Sequence, residues 1–76
     1  MSKANYNRML KGMAIDRLNY LGFGRVYASD SGDNVISVHT DQEGISKLKS
    51  MFAGVGVLDD YVYITLGKKN RLVLGL

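Results

Sequence analysis

Few residues in this chain have the types that carry out chemistry. His39 is the single histidine and there is no cysteine, so any acid–base relay must start from His39 or a carboxylate. Asp59 and Asp60 are adjacent, and in an extended segment neighbours point to opposite sides and not into a shared site. Asp30 and Asp33 sit among turn formers. A nucleophile needs a base and an orienting group close by, and no such set is spaced for it. The chain is therefore expected to be non-enzymatic and to use no cofactor. Three carboxylates do not fall together on any predicted face, so no metal site is expected. His39 is read as a strand-end surface residue.

Two Gly-x-Gly pieces, Gly22-Phe23-Gly24 and Gly54-Val55-Gly56, invite a nucleotide reading. A dinucleotide loop lies between a strand and the helix after it. Here each piece follows a predicted helix and precedes a strand, so helix termination explains it better.

The remaining chemistry is recognition. Tyr61-Val62-Tyr63-Ile64-Thr65-Leu66 alternates aromatic or polar with aliphatic residues, the pattern of a strand with one side in the core. Its other side carries Tyr61, Tyr63 and Thr65. Arg25-Val26-Tyr27-Ala28-Ser29 reads the same way, and Val35-Ile36-Ser37-Val38-His39 reads as its antiparallel mate across the turn-forming run 30–34. The expected binding residues are Tyr27, Tyr61 and Tyr63, surrounded by Arg25, Arg71, Lys68 and Lys69. Arg17 falls near the centre of the apolar face of the first helix. It either lays its stem along the core edge with its head in solvent or anchors a carboxylate or phosphate of a partner.

Several elements must position these residues. Residues 4–21 have helical periodicity, with Tyr6, Leu10, Met13, Ala14 and Leu21 on the expected core face and Ile15 opposite. Ser2 is the expected N-cap, Gly22 the left-handed C′ residue and Phe23 its C″ partner. Thr40-Asp41-Gln42-Glu43 reads as a capping box opening a second helix, with Ile45, Leu48, Met51 and Phe52 inward. Gly44 is a mild cost in its first turn, and Gly54 ends it. Residues 55–60 read as a connection. Arg71-Leu72-Val73-Leu74-Gly75-Leu76 reads as a final strand.

The halves resemble each other. Val26-Tyr27-Ala28-Ser29 parallels Val62-Tyr63-Ile64-Thr65, and the Gly-x-Gly pieces correspond if residues 57–60 are an insertion. The expected fold is a single α+β domain over residues 1–76, ordered α-β-β-α-β-β. It is built from two αββ units (about 1–39 and 40–76) that form a four-stranded antiparallel sheet with both helices on one face. That leaves the tyrosine face uncovered.

Composition sets the outer bounds. A chain of 76 residues buries about 60% of its unfolded surface and is marginally stable. Net charge is +3 and the pI near 9.3, compatible with a nucleic-acid partner, but the basic residues are dispersed. No apolar run approaches the ~20 residues of a membrane span. The absence of cysteine favours the cytoplasm. The first functional expectation is a protein-binding module, by size-level analogy a small phage-type or accessory inhibitor or adaptor that occludes a larger partner. The alternative is single-stranded nucleic-acid binding, with bases stacked on the sheet tyrosines. A homodimer through a sheet edge or the open face is a further expectation.

Overall fold

A computed structural model describes residues 2–29 and 31–76. Asp30 of the first turn lies outside the described residues. The elements are α1 (Lys3–Tyr20), β1 (Arg25–Ala28), β2 (Val35–His39), α2 (Gln42–Met51), β3 (Gly56–Leu58), β4 (Tyr61–Thr65) and α3 (Lys68–Val73). The four strands form one antiparallel sheet in the order β1-β2-β4-β3. The expected α+β fold, with αββ occurring twice, is therefore what the chain forms, with a third helix added.

The sheet's inner face explains the core. Val26, Val38 and Val62 lie in register, as do Ala28, Ile36 and Ile64. Leu10, Ala14 and Leu18 of α1 and Ile45 and Leu48 of α2 pack onto this face, together with Phe23, Phe52, Leu66 and Leu74. All the inward strand side chains of β2 and β4 are fully excluded from water.

Four local expectations are corrected. First, residues 71–76 are not a strand. Lys68–Val73 is helical, and a Schellman closure ends it: Gly75 N–H donates to Leu72 O at 3.1 Å and Leu76 N–H to Arg71 O at 2.8 Å, with Gly75 at φ 78°. Second, the fourth strand is β3, inside the presumed connection, and it turns into β4 through Asp59-Asp60. Asp59 takes φ 55°, which aspartate tolerates in tight turns. Third, the N-cap of α2 is Asp41, not Thr40; its side chain accepts from Gly44 N at 2.8 Å. Thr40 instead lies against Gly44, where an added Cβ would come within 2.1 Å of its hydroxyl. Fourth, α1 is turned on its axis. Leu10, Ala14 and Leu18 face inward with Ile15 beside them, while Tyr6, Met13 and Leu21 are exposed. Small Ala14 lets the helix approach the sheet. Lys11 fixes the rotation, since its Nζ donates to Ser29 O at 3.0 Å and Gly32 O at 2.8 Å in the β1–β2 turn.

The ends of α1 are as expected. Ser2 accepts from Asn5 N at 3.2 Å. Gly22 N–H donates to Asn19 O and Phe23 N–H to Leu18 O, a Schellman motif with Phe23 in the core.

Candidate functional site

With the helices packed on one face, the outward strand residues form ordered rows on the other. Tyr27, Ser37 and Tyr63 lie side by side across β1, β2 and β4, with Gly56 of β3 at the end of the row. Arg25, His39, Tyr61 and Leu58 make the next row. A shallow groove of about 560 Å³ runs over this face, lined by Tyr27, Ser29, Ser37, Tyr61 and Tyr63 among others. Ser37 is its floor: it is 7% exposed, lying between Tyr27 and Tyr63, while Tyr27 remains 42% and Tyr61 37% exposed. A small residue on the central strand lets aromatic side chains on both neighbours frame a depression.

Tyr61 is held in place. Its ring stacks on His39 with centroids 4.8 Å apart and planes 25° from parallel. The His39 Nε2 pairs with the Asp60 carboxylate, and that hydrogen bond holds the Asp60 carboxyl below the usual carboxylate range. The backbone supports the same corner, because Thr40 N–H donates to Asp60 O at 3.2 Å. His39 is therefore more than a strand-end residue. It links the β3–β4 turn to a tyrosine of the open face.

Ser37, His39 and Asp60 have the residue types of a hydrolytic relay and share this face. The arrangement differs from one, because His39 Nε2 is engaged by Asp60 and no hydrogen bond joins Ser37 to His39 among the described residues. Among the described residues, no group of three or more metal-ligating side chains comes together, and no helix is long and apolar enough to cross a membrane.

The expected binding residues are divided by the fold. Tyr27, Tyr61, Tyr63 and Arg25 come together on the open face. Lys68 and Lys69 belong to α3 and line a separate depression with Ala53, Gly54, Thr65 and Gly67. Arg71 is half-buried in α3, its guanidinium reaching toward Leu66 O at 3.5 Å. Arg17 is exposed on α1 beside Met13, Tyr20 and Leu76. The proposed equivalence of Tyr27 and Tyr63 is also corrected. Tyr27 is on edge strand β1 and Tyr63 on interior strand β4, the first strand of one unit against the second of the other.

Asn70 is a structural residue that sequence reasoning did not single out. It is 5% exposed and its amide accepts from Ala53 N at 2.9 Å while donating to Ala53 O at 3.0 Å and Thr65 O at 2.8 Å. This staple fixes α3 against the end of β4. A helix-compatible run ending in Gly75 was the available signal. No family model matches the chain, and no curated protein or solved structure matches it either.

Proposed function

We propose that the protein is a non-enzymatic protein-binding module that docks a larger partner on the open face of its sheet. The observation that supports this reading is the groove in which Tyr27, Tyr63 and the His39-stacked Tyr61 surround the floor residue Ser37. Rings held in place before binding lose little freedom on docking, and tyrosine and arginine dominate the energetic centres of protein interfaces. Arg25, in the same row as Tyr61, adds a fork of donors for a partner's carboxylate or carbonyl groups. Occlusion of the partner's own site, as a small inhibitor or adaptor would achieve, fits a rigid face on a small domain. The cysteine-free composition suits a reducing cytoplasm.

Single-stranded nucleic acid is the second reading, favoured by the same rings on an open sheet. It is the weaker one because Lys68, Lys69 and Arg71, expected around the tyrosines, belong to α3 and line no part of the groove. Arg25 is left as the cation in the tyrosine rows among the described residues.

A photo-crosslinking residue placed at Tyr27 and, separately, at exposed Lys49 of α2 separates these readings in source cells. Capture of one protein from position 27, absent from position 49 and lost on Tyr61→Ala, is the expected result. Equal capture from both positions, or none from position 27, defeats the proposal. Titration of labelled single-stranded DNA and RNA at low and moderate salt is the counter-test: tight, steeply salt-dependent binding would replace the protein reading with the nucleic-acid one.

A further inference from the structure

The side of α1 turned away from the sheet has its own order. Tyr6, Met9, Met13, Asp16 and Tyr20 follow one another at intervals of three, four, three and four residues, the a/d repeat of a helix–helix seam. None of them enters the core. Tyr6, Met9 and Met13 are nearly half exposed and Tyr20 is 83% exposed. Beside the seam, in the middle of α1, lies Gly12, and a Cβ added there would meet nothing within 4 Å. Glycine weakens a helix interior, and among the described residues no side chain or backbone atom crowds this position. Close passage of a second helix backbone would.

The seam also carries its own receptor. Met13, Asp16, Arg17 and Tyr20 border a groove of about 330 Å³ that Leu76 closes on one side. Residues i, i+3, i+4 and i+7 are the four that form a hole for a knob from a facing helix. A knob of suitable size stands on the same helix: Tyr6 lies ten residues before Asp16, about 15 Å along the axis.

We propose that this face pairs with the same face of a second copy of the chain, the two α1 helices running antiparallel about a twofold axis. Placing Tyr6 of one copy in the groove of the other places the second Tyr6 in the first groove by symmetry. The same register brings Met9 of each copy against Met13 of the other. The Tyr6 hydroxyl then donates to the Asp16 carboxylate across the seam, giving the one charged seam residue a partner. A parallel pair would set Asp16 against Asp16, and like charges at a seam disfavour it. The seam is thus complementary to itself, as a twofold interface must be. Its side chains expose on the order of 500 Å² per copy, so a pair buries on the order of 1,000 Å², the lower bound for a specific dimer. The open sheet face takes no part, so this inference stands independently of the proposed function.

Sedimentation velocity from micromolar to millimolar concentration provides the test. A concentration-dependent dimer is expected. Met13→Glu places a carboxylate in the methionine layer and should weaken the dimer by roughly 100-fold or more, with an unchanged circular dichroism spectrum because Met13 is exposed in the single chain. The cysteine-free sequence makes disulfide trapping clean: a mixture of Met9→Cys and Met13→Cys chains should form the mixed disulfide faster than either forms its own. A monomer at every concentration overturns the proposal. So does a dimer indifferent to Met13→Glu, which would place the interface elsewhere, such as the β1 or β3 edge. Faster like-with-like disulfides would overturn the antiparallel arrangement. Seam-dependent binding of the monomer to phosphatidylglycerol vesicles, without self-association, would make the occupant a lipid surface instead.

Discussion

The open face of the sheet and the outer face of α1 expose aromatic side chains to a similar extent, with Tyr27 at 42% and Tyr6 at 43%. They differ in what holds those side chains. On the sheet, Tyr61 stacks on His39, His39 is fixed by Asp60, and Tyr27 and Tyr63 flank the buried Ser37. On α1, Met9 and Met13 are long, unbranched and free to change rotamer. Exposed apolar area alone therefore does not describe a docking surface. Rings ordered in advance suit one partner of fixed shape, whereas a methionine seam can adapt until a second surface sets it.

The two faces can be perturbed separately. The largest effect is expected at Asn70, outside both. Asn70→Ala removes three hydrogen bonds and leaves Ala53 N–H, Ala53 O and Thr65 O without their partner. A loss of about 3 kcal/mol is expected in urea denaturation. It loosens α3 and with it Leu76, the closing wall of the α1 groove, while the Tyr61–His39 stack should persist. Loss of the aromatic signals of both faces together would show that the faces are not independent.

Gly24→Ala also destabilises, but acts on the other face, at the sheet. Gly24 takes φ 83° and an added Cβ would approach His39 O to 2.6 Å. Backbone strain and displacement of His39 together should cost about 2 kcal/mol or more. Tyr61 ring resonances should shift, and those of Tyr6 and Tyr20 should not.

Smaller differences sharpen the contrast within each face. Tyr63 is half-buried on interior strand β4 and Tyr27 exposed on edge strand β1. Tyr63→Ala should cost about 1–2 kcal/mol and Tyr27→Ala less than about 1 kcal/mol. Equal costs would mean that the two tyrosines stand in equivalent environments after all. On the other face, Gly12→Ala should raise the thermal midpoint of the monomer, by up to about 1 kcal/mol of stability, since the helix gains and no neighbour is struck.

What could be read from the sequence follows from how locally each feature is encoded. The strands β1, β2 and β4, the caps of Ser2 and Gly22, and the grouping of Tyr27, Tyr61, Tyr63 and Arg25 rest on alternation and on single residues with strong backbone preferences. The rotation of α1 was not legible, because the helix carries two apolar stripes. Leu10-Ala14-Leu18 and Tyr6-Met9-Met13-Tyr20 merge into one broad face, and the choice between them is made at a distance by Lys11 and the β1–β2 turn. Residues 71–76 misled for a related reason. Leu72, Leu74 and Leu76 alternate like a strand, but the Asn70 staple and the left-handed Gly75 favour a helical turn. β3 is only Gly56–Leu58, too short for any period to show, and β4 organises it through the Asp59-Asp60 turn.

The smallest expected effect probes the His39–Asp60 pair that braces the sheet face. Asp60 carries a folded pKa lowered from its ordinary value by the hydrogen bond from His39. A depressed carboxylate pKa means the folded state binds its proton less readily than the unfolded chain. The pair's contribution is therefore fully present above the ordinary aspartate value of about 4 and is lost as the pH falls through the lower, folded value. Comparison of the protein with Asp60→Asn should show a small, constant difference in thermal midpoint from neutral pH down to that region, closing below it. Both partners are exposed, so the difference will be modest and should shrink with added salt. Partner capture through position 27 should weaken along the same acid limb, because release of His39 frees the Tyr61 ring that it stacks against. If the midpoint difference closes while capture is unchanged, Tyr61 needs no brace, and the order ascribed to the sheet face rests on Ser37 and its two flanking rings alone.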